Sequence, residues 1–159
     1  MRLLCDEMDM VETKLEILAE RMIGKELRHI WNGYGSSLFL EFGNLLDAGK
    51  RQDGSPRNPE GEIGVMIEWS WRIEGKKRII TGSWSDTVDW ERGFKAIKGQ
   101  KVSEVSTFGK FPEIHIAFEN GASCTSFMTA QGHPEWALFD RRLENDVTLH
   151  SRNCLIEEQ

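Results

Sequence analysis

Cysteine, proline and tyrosine are scarce in this chain, and bases are outnumbered. The three cysteines, Cys5, Cys124 and Cys154, lie far apart and form no Cys-x-x-Cys pair. That excludes a zinc ribbon and a thioredoxin-like motif, and free thiols suit a reducing compartment. No apolar run approaches the roughly 18 residues that a membrane-spanning helix needs. Met1 to Met10 carries Asp6, Glu7 and Asp9 where a secretion signal would be apolar, so the expected location is cytoplasmic. Twenty Lys and Arg stand against 26 Asp and Glu, a net charge of −6. A nucleic-acid binder needs the opposite sign to displace counterions. An acidic balance suits a basic partner or simply keeps the chain dissolved. The phosphate-binding Walker loop, the Gly-x-Ser-x-Gly elbow and the His-Glu-x-x-His zinc motif are all missing.

The chain does hold six tryptophans and eight phenylalanines in 159 residues. Each buried aromatic removes roughly 150–250 Å² from water. A chain of this length folds as one domain without a disulfide or metal staple, so no cofactor and no metal are expected.

Apolar positions Leu15, Leu18, Ala19 and Met22 predict a helix over residues 12–23, with Thr13 and Glu16 as a capping box and Gly24 as its stop. A hairpin follows, residues 25–31 and 37–42, turning at Asn32-Gly33-Tyr34-Gly35. Residues 43–60 break the pattern with Gly43, Gly49, Gly54, Pro56 and Pro59, and read as a long loop. Strict alternation from Ile63 to Ile73 predicts one strand with Trp69 and Trp71 inward, returned by a second strand over residues 78–84. A short helix is expected within residues 85–98, weakened by Gly93 at about 1 kcal/mol. Strands are expected at 102–105, 113–118, 124–128 and 136–139, with Asn120-Gly121 as a hairpin turn. Residues 141–159 read as a tail with a fraying end.

The two halves look alike. Gly24-Lys25-Glu26-Leu27 and Leu38-Phe39-Leu40-Glu41-Phe42 match Gly99-Gln100-Lys101-Val102 and Ile114-His115-Ile116-Ala117-Phe118, and Trp71-Arg72-Ile73 matches Trp136-Ala137-Leu138. The reading is therefore a single α+β domain over residues 1–159, mainly antiparallel sheet with one or two helices, containing a duplicated helix–hairpin unit with halves 12–84 and 86–140.

Residues 83–92 put Trp84 and Trp90 among Asp86, Asp89 and Glu91. Tryptophan among acids marks an interaction hot spot; the competing reading is a helix start, with the acids favouring its dipole and Trp90 packed inward. Arg72, on the wetter parity of its strand, either pairs with a carboxylate or holds an anion. His115 points away from Ile114 and Ile116. His133 lies in a Gly-His-Pro loop, where binding residues concentrate. His133-Pro134-Glu135 has the His-x-Glu spacing of zinc deaminases, but the downstream Pro-Cys-x-x-Cys is missing.

The run Gly61 to Gly75, an alternating strand ending in Trp71-Arg72 before a turn, resembles a motif of small acidic bacterial proteins of unassigned function, some of which are similar to the immunity proteins that accompany bacterial toxins. It brings no catalytic residues. The resemblance and the charge together imply a non-enzymatic cytoplasmic inhibitor. Its Trp84, Asp86, Asp89, Trp90 and Glu91 would block a basic protein partner. Two alternatives stand beside it. One is a small-ligand module with an aromatic pocket between the halves, using Arg72, His115 or His133. The other is an enzyme using His133 with a nearby carboxylate.

Overall fold

The computed structural model describes residues 14–131, 134–142, 147–152 and 155–158. Among the described residues, eleven strands and two helices, α1 (residues 14–22) and α2 (Thr87–Ile97), make an α+β fold. The strands are β1 (Leu27–Asn32), β2 (Leu38–Leu46), β3 (Glu60–Ile67), β4 (Trp71–Glu74), β5 (Ile79–Gly82), β6 (Val102–Phe108), β7 (Glu113–Phe118), β8 (Ser123–Ser126), β9 (Trp136–Asp140), β10 (Val147–Arg152) and β11 (Leu155–Glu158). They form two antiparallel sheets, ordered β1-β2-β3-β9-β10-β11 and β5-β4-β8-β7-β6. Neither helix is long and apolar enough to cross a membrane.

Each helix is followed by a three-strand meander, and each meander is completed by strands from the other end of the chain. After β3 the chain leaves the first sheet, and β4 joins β8 in the second; after β8 it returns, and β9 joins β3. Reciprocal hydrogen bonds mark the correspondence. Gly24 N–H donates to the carbonyl of Val102 and Gly99 N–H to that of Leu27, at 2.8 Å each. Glu68 N–H reaches Glu135, and Phe127 N–H reaches Ser70. These bonds join the two halves of the chain without establishing a duplication.

One core serves both sheets. Leu38, Leu40, Phe42, Ile63, Val65 and Leu138 come from the first, and Trp71, Ile73, Ile114, Ile116 and Cys124 from the second. Leu18 and Met22 of α1 and Ile97 of α2 close it. Burial pushes the Cys124 thiol up to about 12, so it packs as a small hydrophobe.

Several boundaries differ from the sequence reading. The single strand expected over residues 63–73 is two strands in two sheets. The crossing is at Glu68-Trp69-Ser70, where Ser70 is fully buried and Trp69 is only half-buried, not core. The loop is shorter than 43–60, because β2 runs on to Leu46 through a bulge at Gly43. Gly43 takes a left-handed φ of 78°, and a Cβ there would collide with the Glu62 carboxylate. Residues 141–159 are not simply a tail. β10 pairs with β9 and carries the fully buried Leu149, and β11 pairs with β10. The capping-box Thr13 lies outside the described residues, as do Cys5 and Cys154.

Candidate functional site

The acidic segment singled out in the sequence lies at the start of α2. Trp84 is 79% exposed and Val88, one turn on, 82% exposed. Trp84 touches the domain through its indole N–H, 3.5 Å from the Ser70 hydroxyl. Asp86 occupies the N-cap of α2 yet makes no side-chain capping bond, and Glu91 is exposed. Asp89, in the first turn, lies 3.5 Å from Arg92. Trp90 behaves differently. It packs on Trp71, ring centroids 5.6 Å apart, and its indole N–H donates to the Gly82 carbonyl at 2.9 Å. Trp84, Val88, Asp86 and Glu91 are therefore the side chains presented outward, and Trp90 anchors the helix beneath them.

Gly93 lets the helix sit this close. A Cβ there would be 2.1 Å from Cγ2 of Thr81 and 3.2 Å from Cδ1 of Ile73. The glycine that weakens the helix in isolation is what seats it on β4 and β5.

Arg72 and His115 come together on the outer face of the second sheet, either side of Thr125. Thr125 pairs with Arg72 across β4–β8 and with His115 across β7–β8. His115 Nδ1 lies 2.8 Å from the Thr125 hydroxyl. Arg72 pairs with Glu74 on its own strand and lies over the Phe127 ring, 5.3 Å from its centroid. Both polar groups are thus engaged by neighbours, the structural alternative for Arg72. His133 lies outside the described residues, so the deaminase-like spacing acquires no geometry; its neighbour Glu135 lines the cleft described next.

Two of the clefts among the described residues bear on function. The first, about 430 Å³, lies where the ends of the sheets meet and is lined by Phe111, Glu113, Met128 and Glu135. Glu113 is committed there, accepting from Met128 N–H at 2.6 Å and from the Ser126 hydroxyl. The second, about 370 Å³, lies on the outer face of the first sheet beneath the loop of residues 47–59. Its floor is Trp31 stacked on Phe39, centroids 4.1 Å apart and planes within 7°, with Phe139 beyond. Arg141 lies over the bare backbone of Gly64, where a Cβ would come within 2.8 Å of the guanidinium. It bonds Glu41 at 2.8 Å and the Gly61 carbonyl at 2.9 Å. Burial raises the Glu41 pKa, although Gly61 N–H and Arg141 oppose it.

Of these cleft residues, Glu135 was singled out in the sequence, through its His-x-Glu spacing, and those of the second cleft were not. The available signal was an aromatic on the outward parity of two strands: Phe39 between Leu38 and Leu40, and Phe139 after Leu138. Among the described residues, no group of three or more His, Cys, Asp or Glu is placed to hold a metal ion. No family model, curated protein or solved structure matches the chain.

Proposed function

We propose that the chain is a non-enzymatic binding protein of the immunity type, which covers a basic surface of a protein partner with the start of α2. The observation that carries this reading is the exposure of Trp84 and Val88 at the start of α2, together with Asp86, which makes no capping bond, and the exposed Glu91. An aromatic standing clear of the surface beside carboxylates provides both elements of a fast, tight contact. The charges speed the encounter, and the indole supplies the area that becomes desolvated. A net charge of −6 extends the same attraction over the whole molecule.

The test begins with native mass spectrometry of the chain isolated gently from its own cells, where a complex heavier than 18.3 kDa is expected. Trp84→Ala should weaken that complex by roughly 30-fold or more, the range of an interface hot spot. Asp86→Asn with Glu91→Gln should slow association and flatten its dependence on salt. A complex indifferent to both variants, or a chain that never carries a protein partner, overturns the reading.

A further inference from the structure

The cleft on the outer face of the first sheet belongs to a different surface from α2, and its make-up is that of a ligand site. Stacked aromatics form its floor, a polar pair braces one side, and two arginines from the loop stand over it. The loop that brings them is built rather than slack. Lys50 and Pro56 form a β-bridge, Arg51 N–H donates to the Ser55 carbonyl at 2.8 Å, and Arg57 N–H to that of Gly49 at 2.9 Å. Asn58 fastens it to the sheet through His29 Nε2 at 3.1 Å. The side chains of Arg51 and Arg57 both line the cleft, and both are exposed without an ion pair among the described residues.

The two carboxylates of the cleft share one guanidinium. Glu41 is held by Arg141 and by Gly61 N–H, and Glu60 lies 3.6 Å from Arg141. Asp53, at the turn of the loop, accepts from Ser55 at its hydroxyl and its N–H and is not part of the lining. Three arginines against two carboxylates leave the lining net positive above its aromatic floor, with the Arg51 charge also acting on Asp53.

We propose that this cleft binds a small planar aromatic anion, its ring against Trp31 and Phe39 and its anionic group held by Arg51 and Arg57. Guanidinium pairs match the geometry of carboxylate and phosphate alike, and the volume is in the range of small-molecule sites. The anionic group is a carboxylate or a phosphate, and the two are separated by experiment.

The full chain is titrated at low salt with 4-hydroxybenzoate and, separately, with adenosine 5′-monophosphate. The uncharged counterparts 4-hydroxybenzyl alcohol and adenosine serve as controls. Binding is followed by the indole N–H resonances, with Trp31 assigned through Trp31→Phe. The Trp31 resonance should move with at least one anion while that of Trp84 stays still. The uncharged counterpart should bind at least tenfold more weakly. Arg51→Ala with Arg57→Ala should lower affinity at least tenfold and leave the thermal midpoint unchanged, since both side chains are exposed. Response to the benzoate alone assigns a carboxylate ligand, and response to the nucleotide alone assigns a phosphate. A static Trp31 resonance with both anions, equal binding of the uncharged compounds, or a double variant that binds like the parent overturns the proposal.

Discussion

Trp71 and Trp136 hold matching places in the two sheets. Each opens a strand, each is fully buried, and each donates its indole N–H to a backbone carbonyl between the first two strands of a meander: Trp71 to Ser36 at 2.6 Å and Trp136 to Pro112 at 2.7 Å. Each strand has crossed from one half of the chain into the sheet begun by the other. The two indoles therefore tie each exchanged strand back to the meander of the half it came from, across to the other sheet. Trp71→Phe and Trp136→Phe should cost similar amounts, about 2 kcal/mol each, from the lost hydrogen bond, the stranded carbonyl and the missing ring. Urea unfolding measures both. A cost near zero at either position would show that its indole fastens nothing.

The sequence shows those tryptophans in similar Trp-x-Ile and Trp-x-Leu runs, whereas the exchange of strands between the sheets was not legible there. Ile63, Val65, Ile67, Trp71 and Ile73 keep one parity through the crossing because both sheets turn the same parity toward the shared core. A strand that changes sheets without changing its inward face reads as a single strand. The outward aromatic floor was hidden for a related reason: alternation reports the buried face and says nothing of a second cover such as the loop at 47–59. β10 and β11 escaped because few apolar residues mark them, and their pairing is fixed by β9 rather than by their own pattern.

Gly93→Ala separates local from tertiary preference. In an isolated helix the change gains about 1 kcal/mol. Here the new methyl meets Thr81 and Ile73, and overpacking of this kind costs about 1–3 kcal/mol. The variant should therefore be less stable in urea, and Thr81→Ser, which removes the crowding methyl, should restore part of the loss. A more stable Gly93→Ala variant would show that α2 shifts freely on its sheet.

Trp84 and Trp90 lie six residues apart in the same acidic segment and should answer oppositely to truncation. Trp84→Ala removes an exposed ring and should change stability by less than about 0.5 kcal/mol. Trp90→Ala removes a ring packed on Trp71 together with its bond to Gly82, and should cost about 3 kcal/mol. Thermal unfolding of the two variants distinguishes them. Equal costs would contradict the division between an outward anchor and an inward one.

The buried carboxylates Glu41 and Asp140 should bend the stability–pH curve in opposite senses. Asp140 is held at about 2, chiefly by hydrogen bonds from Arg142, with Arg21 of α1 as a second partner. Its ordinary value is 3.8, so its contribution is present above that pH and is lost as pH falls toward 2. Asp140→Asn should therefore lower stability by about 2 kcal/mol at pH 6 and by little near pH 2. Glu41 is raised above 4.5, because burial outweighs its bonds to Gly61 and Arg141. Its folded form favours the proton, so stability present below the ordinary value is lost as pH rises through the raised one. Glu41→Gln, which keeps an acceptor for Arg141, should remove that loss and narrow any deficit at pH 7 relative to pH 3. Urea unfolding of the parent and both variants from pH 2 to 7 gives the three curves. If either variant runs parallel to the parent throughout, that carboxylate does not titrate differently in the folded chain.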